Sequence, residues 1–299
     1  MRPTLSWTPS GVTAPRTTEL TEIVRVVGEG GVVVLSGAGL STESGIPDYR
    51  GVDGTLRRHL PMTHQEFVGS EENRRRYWAR SHLGWAAFSR ARPNAGHEAV
   101  AALQHGGYLT GVITQNVDGL HQAAGAEDVI ELHGNLGRVV CLDCGRVSSR
   151  WVLEQRLTEA NPGFRAEVTR INPDGDVEVP EHVVRDFRVV SCSACGTGVL
   201  KPDVVFFGDS VPRSRVEECR RLIDAANAVL VLGSSLAVMS GLRFVRQAAG
   251  AGKPVLIINK GETRGDAHAL VRVDRALGSA LTELTERLGC RWPAAEDTA

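Results

Sequence analysis

Lysine and long apolar runs are what this sequence most clearly lacks. Lysine occurs only at Lys201, Lys253 and Lys260, and arginine supplies the other 31 of the 34 basic residues, a bias that we interpret as bacterial. Acidic residues number 35 and the net charge is -1, which excludes a general electrostatic attraction to nucleic acid or to an anionic membrane. No apolar run approaches the roughly 20 residues that span a bilayer. We therefore expect a soluble protein with a local recognition site and neither nucleic acid nor membrane as a partner.

Cysteine is also scarce, with six in 299 residues. That number is too small for a disulfide-stapled scaffold of this length and favours a reducing compartment. We expect a cytoplasmic location in a bacterium. The first 18 residues carry Arg2 and Arg16 without an acid, which weakly resembles an organellar transit peptide and makes a mitochondrial location the alternative. Residues 1–16 are predicted to be a disordered tail.

Four of the six cysteines form two C-x-x-C pairs, Cys141 with Cys144 and Cys192 with Cys195, and 47 residues separate the pairs. Each pair can place two thiolates on one ion, and two pairs complete the tetrahedral shell that zinc prefers. Because four thiolates leave no open coordination position, we expect one structural Zn²⁺ that takes no part in a reaction. Two disulfides or redox-active pairs are the alternative.

Short apolar runs alternate with stretches of helical periodicity along the chain. The pattern predicts strands at 32–35, 109–114, 129–132, 228–232 and 254–258, and a last helix at 278–289. Buried strands that alternate with amphipathic helices are typical of a mostly parallel sheet covered on both faces. The predicted fold class is therefore α/β, a doubly wound Rossmann-like sheet.

Two segments interrupt the alternation and are predicted to be insertions. Residues 51–92 are rich in arginine and aromatics and have little strand character, which indicates a helical insertion. Residues 136–202 hold the cysteine pairs, which indicates a small zinc-binding module. The main domain is then assembled from residues 17–50, 93–135 and 203–290.

Glycines and small polar residues follow the predicted strands, where parallel sheets bind ligands. After the first strand, Gly37 and Gly39 would let backbone N–H groups approach a phosphate. The full dinucleotide fingerprint needs glycine at position 42, where the chain has Thr42, so a simple tight turn is an equal interpretation of this loop. Other such loops lie at 115–118, 233–235 and 259–261. Their convergence on one sheet edge indicates a nucleotide site.

Three side chains at this edge are candidates for chemistry. Asn116 and Asp118 directly follow strand 109–114 and are expected to point into the ligand crevice, with capping of the next helix the other interpretation of Asp118. His133 follows strand 129–132. An isolated histidine is more often structural, but beside a nucleotide crevice its ordinary pKa near neutrality suits a general base.

Taken together, these motifs resemble the sirtuin family. The segments that carry the resemblance are Gly37-Ala38-Gly39-Leu40-Ser41, Gly45-Ile46-Pro47-Asp48-Tyr49-Arg50, Thr114-Gln115-Asn116-Val117-Asp118-Gly119-Leu120-His121, Glu131-Leu132-His133-Gly134, the two cysteine pairs, Lys201-Pro202-Asp203-Val204-Val205-Phe206-Phe207-Gly208, Gly233-Ser234-Ser235 and Asn259. They extend over residues 17–290 in the family's order, and chance agreement of so many motifs is negligible.

The resemblance implies an enzyme that uses NAD to remove acyl groups from protein lysine, giving nicotinamide, O-acyl-ADP-ribose and free lysine. NAD would be a consumed co-substrate. His133 would be the general base, and Asn116 and Asp118 would hold the nicotinamide ribose and carboxamide. The implied cofactor contacts are Gly37, Ala38, Gly39, Ser41, Pro47, Asp48, Tyr49, Arg50, Gln115, Asn116, Val117, Asp118, Gly233, Ser234, Ser235, Asn259, Lys260, Gly261 and Leu277.

The implied partner is an acylated lysine side chain of another protein. The segment that would pair with the substrate backbone as an added strand consists of Val205, Phe206, Phe207 and Gly208. Main-chain pairing of this kind implies broad tolerance of the substrate sequence.

Within the family the chain is similar to the class II branch, which includes a mitochondrial lipoamidase and ADP-ribosyltransferase-type member. This finer resemblance rests on Tyr77-Trp78-Ala79-Arg80, Gly84-Trp85 and Pro173-Asp174-Gly175-Asp176. Tyr77 and Arg80 also match a pattern that grips acidic acyl groups, because Arg pairs with a carboxylate while Tyr donates a hydrogen bond. A solvated helix face with a packed aromatic is the plainer interpretation of the same two residues.

The sequence leaves the preferred acyl group open among acetyl, lipoyl and acidic acyl groups, and it does not fix the oligomeric state. Protein mono-ADP-ribosylation and an NAD-binding zinc sensor without turnover are alternative functions. A hydride-transferring dehydrogenase is a third, but Thr42 and the lack of an acidic residue at the end of the second strand itself argue against it.

Overall fold

The alternation of strands and helices produces a seven-stranded sheet in the computed structural model, which describes residues 16–49, 61–168 and 172–290. The strands are β1 (Arg16–Thr17), β2 (Val32–Ser36), β3 (Leu109–Thr114), β4 (Val129–Glu131), β5 (Gly134–Cys141), β6 (Val147–Ser149), β7 (Leu200–Val204), β8 (Ala228–Leu232), β9 (Val255–Ile258) and β10 (Val271–Val273). The large sheet has the order β1-β10-β9-β8-β2-β3-β4, and all its neighbouring strands are parallel. This is the predicted fold class.

Helices cover this sheet and build the inserted segments. They are α1 (Thr21–Gly28), α2 (His64–Gly69), α3 (Glu71–Phe88), α4 (Ala95–His105), α5 (Leu120–Ala123), α6 (Arg150–Ala160), α7 (Glu181–Val184), α8 (Arg213–Ala225), α9 (Met239–Gly250) and α10 (Leu277–Arg287), with short 3-10 helices at Ala38–Ser44 and Asp266–His268. Within the described ranges, no helix is long and apolar enough to cross a membrane.

The central strands are buried on both faces because helices cover each face. Val32 and Val34 of β2 join the core formed with α1, α4 and α10, while Val33 and Leu35 join the core formed with α8 and α9. Successive side chains of a strand point to opposite faces, so an uninterrupted apolar run is what such a strand requires. The loops that leave β2, β3 and β8 consequently open at one edge of the sheet.

Two neighbouring strands at one side of the sheet, β1 and β10, lie where the sequence predicts none. β10 has only three residues and contains the fully buried Arg272, whose guanidinium lies 2.8 Å from a carboxylate oxygen of Asp274. β1 pairs with β10, and Arg16 reaches the same carboxylate at 2.8 Å. The prediction that the tail runs to residue 16 is therefore wrong at Arg16, while residues 1–15 lie outside the described residues.

The cysteine-bearing insertion contains a separate antiparallel sheet of order β6-β5-β7 and packs on α3. Arg150 is buried between this insertion and α3. Its guanidinium lies 4.7 Å from the ring centre of Trp85 and pairs with Glu154. The indole of Trp78 donates to the carbonyl of Leu200 at 3.1 Å. Helices α2 and α3 occupy the predicted helical insertion, of which residues 51–60 lie outside the described residues.

Candidate active site

A cavity of about 1010 Å³ opens between the carboxyl edge of the large sheet and the insertions. The loops after β2, β3, β8 and β9 line it, together with the segment that follows β7. The predicted site residues that line it are Gly37, Ala38, Gly39, Ser41, Pro47, Asp48, Tyr49, Tyr77, Gln115, Asn116, Val117, Asp118, His133, Val205, Phe206, Phe207, Gly208, Gly233, Ser234, Ser235, Asn259, Lys260 and Leu277. Gly261 and Arg80 are not among the lining residues, and Arg50 lies outside the described residues.

The glycines of the first loop allow two loops to approach each other closely. The backbone N–H of Gly39 donates to the carbonyl of Gly233 at 2.8 Å. A Cβ atom at Gly39 would lie 2.8 Å from that oxygen, and one at Gly37 would lie 2.8 Å from the Cβ of Ser234. Close packing of the loops thus accounts for these glycines, which leaves the backbone of both loops at the cavity wall.

Asn116, Asp118 and Ser41 form one hydrogen-bonded group at the end of β3. The Asn116 amide donates to Ser41 Oγ at 3.0 Å, and Ser41 Oγ donates to Asp118 Oδ2 at 2.7 Å. The other carboxylate oxygen of Asp118 accepts from the backbone N–H of Leu120 at 2.9 Å. Asp118 therefore does both things that the sequence suggested, since it holds the start of α5 and also faces the cavity. Burial raises the pKa of its carboxyl, and these hydrogen bonds oppose that rise.

His133 is held through both ring nitrogens. Nδ1 lies 2.9 Å from the carbonyl oxygen of Gln115, and Nε2 lies 2.8 Å from Ser240 Oγ. A carbonyl oxygen only accepts, so Nδ1 carries the proton of the neutral ring and Nε2 keeps its lone pair. Burial lowers the pKa of His133 to about 4, so the ring is neutral at pH 7 and Nε2 can accept a proton.

The segment after β7 connects the cavity to His133. The backbone N–H of Val205 donates to the main-chain carbonyl of His133 at 2.8 Å. The ring of Phe206 packs 5.3 Å from the rings of Phe67 and Tyr77, and Phe207 lies 6.0 Å from Tyr49. The wall of the cavity next to the base is consequently aromatic.

Tyr77 and Arg80 do not lie together in the cavity. Tyr77 is buried and lines it, and burial together with the charges of Asp174 and Asp176 raises the pKa of its hydroxyl well above the ordinary value. Arg80 points elsewhere, since its Nε donates to the carbonyl of Val177 at 2.6 Å and lies 3.3 Å from Asp176. Arg80 therefore does not line the cavity in this arrangement, because Asp176 and the Val177 carbonyl hold its guanidinium.

The four paired cysteines converge on one point. Their sulfur atoms all lie within 4.8 Å of one another, with Cys141 to Cys195 at 3.8 Å and Cys144 to Cys192 at 3.9 Å. Four sulfurs each about 2.3 Å from a zinc ion in a tetrahedron would be about 3.8 Å apart. The donor set and its size thus fit Zn²⁺, and all four thiols are free of disulfides.

The sequence of the chain also matches known proteins along most of its length. Residues 37–240 match the model of the Sir2 family. The chain is 64% identical over 291 residues to NAD-dependent protein deacetylase 1 of Streptomyces coelicolor, and the match covers 97% of this chain and 97% of that one. The chain belongs to the Sir2 family.

Solved Sir2 structures share the fold of this chain. A complex of Sir2 with a p53 peptide and NAD+ gives a TM-score of 0.72 at 28% identity, covering 91% of this chain and 99% of that one. A variant Sir2 complex with a deacetylated p53 peptide and 3'-O-acetyl ADP ribose also gives 0.72 at 28% identity, covering 91% of this chain and 100% of that one. The family and fold predictions are confirmed.

Sequence motifs of the Sir2 family did not reveal every residue of this cavity. Ser240 contacts the candidate base but lies in the first turn of α9, outside any motif, and only the fold brings it to His133. Pro173 and Asp174 line the cavity from the cysteine-bearing insertion. A Cβ at Gly198 would lie 2.3 Å from Cys141 Sγ, which makes this glycine part of the cysteine cluster.

A pair of buried histidines contacts Ser36 and Ser41, and Ser41 is a hydrogen-bond partner of Asn116. The rings of His97 and His121 meet edge to face at 5.2 Å. His121 Nε2 lies 2.8 Å from Ser36 Oγ, and His97 Nε2 lies 3.4 Å from Ser41 Oγ. Burial lowers the pKa of His97 to about 4 and that of His121, with help from the His97 charge, to about 3.

We predict that Cys144→Ser removes the metal and destabilises the fold. Zinc per chain should fall from about one to near zero and the Tm by roughly 5 °C or more, because binding of a structural metal contributes to folding. Plasma emission spectrometry and calorimetry measure the two quantities. Cys290→Ser is the control, since Cys290 lies outside the cluster. A Cys144→Ser protein with full zinc and an unchanged Tm would contradict the assignment.

We also predict that stability falls with pH below about 6.5. His97, His121 and His133 stay neutral in the native state until the pH reaches about 4 or lower, whereas unfolded histidines take up protons near pH 6.5. Each contributes stability that is fully present above pH 6.5 and is lost below it, at up to about 1.4 kcal/mol per pH unit.

Urea unfolding between pH 5 and 8 tests this expectation. His97→Gln should reduce the slope of the unfolding free energy against pH by the contribution of about one proton, which is about 1.4 kcal/mol per pH unit. The control His268→Gln, at an exposed position, should leave the slope unchanged. Equal slopes for wild type and His97→Gln would show that His97 is not held neutral.

Proposed function

We propose that this chain is an NAD-dependent protein lysine deacylase that prefers acetyl and other uncharged acyl groups. The observation that carries the proposal is the position of His133 Nε2. This neutral base lies in the cavity, held by the loop that bears Asn116, and the main chain of His133 binds the start of the Val205 segment. A base, a polar loop and a strand-like edge thus meet in one place.

The cavity fits a dinucleotide together with a lysine side chain. Its volume of about 1010 Å³ lies at the upper end of the range of about 300–1,000 Å³ for small-molecule sites. The close-packed backbones at Gly39 and Gly233 would border the phosphates, and Asn259 and Lys260 would border the adenosine ribose. NAD is named with the Streptomyces relative and in the Sir2 complex with the p53 peptide, which supports NAD as the co-substrate here.

The side chains of the site suit the proposed reaction. NAD would supply an activated ribose carbon, from which nicotinamide leaves as the acyl oxygen of the lysine substrate attacks. Asn116 and Asp118 would orient the ribose, and His133 Nε2 would then accept a proton from a ribose hydroxyl so that its oxygen can attack the acyl carbon. Val205 to Gly208 would pair with the substrate main chain. Water would then add to the acyl carbon as the lysine amine leaves, and the products would be free lysine, nicotinamide and O-acyl-ADP-ribose.

The preference for uncharged acyl groups follows from the surroundings of Tyr77. Phe206 and the neutral Tyr77 hydroxyl border the cavity there, while the Arg80 guanidinium is held by Asp176 and the Val177 carbonyl. A succinyl or malonyl carboxylate would lose its hydration at this aromatic wall without gaining Arg80 as a partner, which is unfavourable. Acetyl and longer neutral acyl groups carry no such cost.

We keep the class II assignment as part of this proposal. The residues that suggest it from the sequence meet in the structure, because Gly84 of α3 lies against the turn at 172–177. A Cβ at Gly84 would be 2.2 Å from the carbonyl oxygen of Gly175, and Arg80 bonds the same turn. The helical insertion and the zinc-binding module thus have complementary surfaces at these residues. This contact supports the class II assignment, which rests on sequence motifs from both segments.

We predict that His133→Ala retains NAD binding and loses deacylation, with kcat/KM for an acetyl-lysine peptide falling by about 10²–10⁴-fold. The reason is that only the proton transfer depends on Nε2. Calorimetric titration with NAD and mass spectrometry of the peptide measure the two properties, with the exposed His268→Ala as control. Turnover in His133→Ala comparable to wild type would refute the role of the base.

The wild-type protein distinguishes the alternative functions. A protein that binds NAD but releases no nicotinamide with any acyl-lysine peptide would favour a sensor without turnover. Transfer of ADP-ribose to a protein would favour a mono-ADP-ribosyltransferase.

We predict that Arg80→Ala leaves the ratio of kcat/KM for succinyl and acetyl peptides unchanged within about twofold, because Arg80 is committed to an internal ion pair. Its Tm should fall, since Asp176 loses one of its partners and the Val177 carbonyl loses a donor. Arg90→Ala at the exposed end of the same region is the matched control for loss of an arginine. A selective loss of succinyl-peptide activity in Arg80→Ala would show instead that this residue reads an acidic acyl group.

A further inference from the structure

Ser240 holds the nitrogen through which His133 is proposed to accept a proton. Its hydroxyl lies 2.8 Å from Nε2, and its side chain borders the same cavity. The hydroxyl is not needed to start α9, because the residue before the helix is Val238 and no side chain caps that end. Among the residues that the structure describes, the hydroxyl contacts the candidate base.

The first turn of α9 is fixed against the same residue that holds the other side of the ring. The main-chain carbonyl of Gln115 accepts from Nδ1, and a Cβ atom at Gly241 would lie only 2.6 Å from Gln115 Oε1. The Gln115 amide is itself anchored, since it donates to Ser234 Oγ at 2.8 Å and to the Ser36 carbonyl at 3.1 Å. Gln115, the imidazole and the start of α9 thus form one packed unit.

We propose that Ser240 positions the His133 ring and relays a proton to it, which supports both protonation states of the ring. This proposal rests on the proposed deacylase function. In the neutral ring, the Ser240 hydroxyl donates to the single lone pair of Nε2, so a ribose hydroxyl cannot donate to that lone pair at the same time. The ribose hydroxyl would instead give its proton to Ser240 Oγ while Ser240 gives its own proton to Nε2, and the new Nε2 N–H then donates to the Ser240 oxygen.

The need for such a partner comes from the burial of the ring. Burial favours the neutral imidazole, and Arg215 from α8 adds a like charge that opposes protonation. An acceptor on Nε2 offsets part of this cost when the proton arrives. An apolar side chain at position 240 would leave the buried N–H without a partner, and an unsatisfied buried donor is strongly disfavoured. Serine differs from alanine here only by the hydroxyl that makes this contact.

The decisive variant is Ser240→Ala. We expect kcat for deacetylation to fall about 3–10-fold, as loss of one neutral hydrogen bond allows, while KM for NAD and the exchange of labelled nicotinamide into NAD stay at wild-type values. Ser240→Thr should restore kcat because it restores the hydroxyl. Ser279→Ala, at an exposed serine of α10 that does not line the cavity and whose hydroxyl donates to the Ala276 carbonyl, is the matched control.

A spectroscopic measurement makes the test independent of turnover. In ¹⁵N-histidine-labelled protein without NAD, the Nε2 resonance of His133 should shift in Ser240→Ala, return in Ser240→Thr and stay in place in Ser279→Ala. Gly241→Ala keeps the hydroxyl but places a Cβ against the Gln115 side-chain amide, so that either this amide or the start of α9 must shift, and it should shift the same resonance.

The possible outcomes separate this proposal from the function on which it rests. An unshifted Nε2 resonance in Ser240→Ala, or an unchanged kcat in an otherwise active enzyme, would overturn the role of Ser240. A wild-type protein without deacylase activity would overturn the proposed function, yet the resonance would still report whether the serine holds the ring. Equal losses in KM for NAD and in nicotinamide exchange would identify Ser240 as a general structural residue instead.

Discussion

Parallel pairing of β2 with β3 and with β8 is the constraint on which the site depends. Parallel strands buried on both faces bring their carboxyl ends to one edge, so the loops that follow them must share that edge. Gly39 meets Gly233 there at backbone contact distance, and Asn116 reaches the carbonyl of Gly37 at 3.1 Å. Loops that are far apart in the sequence thus form one wall of the cavity through backbone contacts and hydrogen bonds.

The zinc-binding module is tied to the chemistry through the ends of two strands. β5 begins at Gly134, directly after the candidate base, and β7 ends at Val204, directly before the proposed substrate segment. Gly134 pairs with Val204 at one end of the β5–β7 ladder, and Cys141 pairs with Leu200 at the other. A metal on the cysteines would therefore fix the register of this ladder. Although a four-cysteine ion has no open coordination position, it would control where His133 and Val205 meet.

The sequence was sufficient for features that depend on local pattern. The sulfur atoms of both C-x-x-C pairs lie within 4.8 Å of one another, and the strand predicted at 109–114 has the same bounds as β3. Both predictions succeed because paired cysteines at this spacing and a continuous apolar run are each compatible with few local structures. β10 escaped prediction because the buried Arg272 interrupts its apolar character. Asp266 and Asp274 compensate the charge of Arg272 once the chain has folded, which the sequence pattern does not reveal. The orientation of Arg80 was equally hidden, since Asp176 lies far along the sequence and competes for the guanidinium only once the insertions pack.

The candidate base, His133, illustrates why position matters here more than intrinsic basicity. An exposed histidine with a pKa near 6.5 would be the stronger base, and burial weakens His133 by lowering its pKa to about 4. Burial also keeps the ring neutral throughout the physiological range, and the contacts to Gln115 and Ser240 fix the direction of its lone pair. A buried site strengthens each electrostatic interaction within it, so a developing charge on the ring is stabilised by oriented dipoles without solvent reorganisation. Burial in this fold thus lowers the basicity of His133 but fixes the orientation of its ring. A cavity between the edge of the sheet and the cysteine-bearing module can supply that fixed orientation.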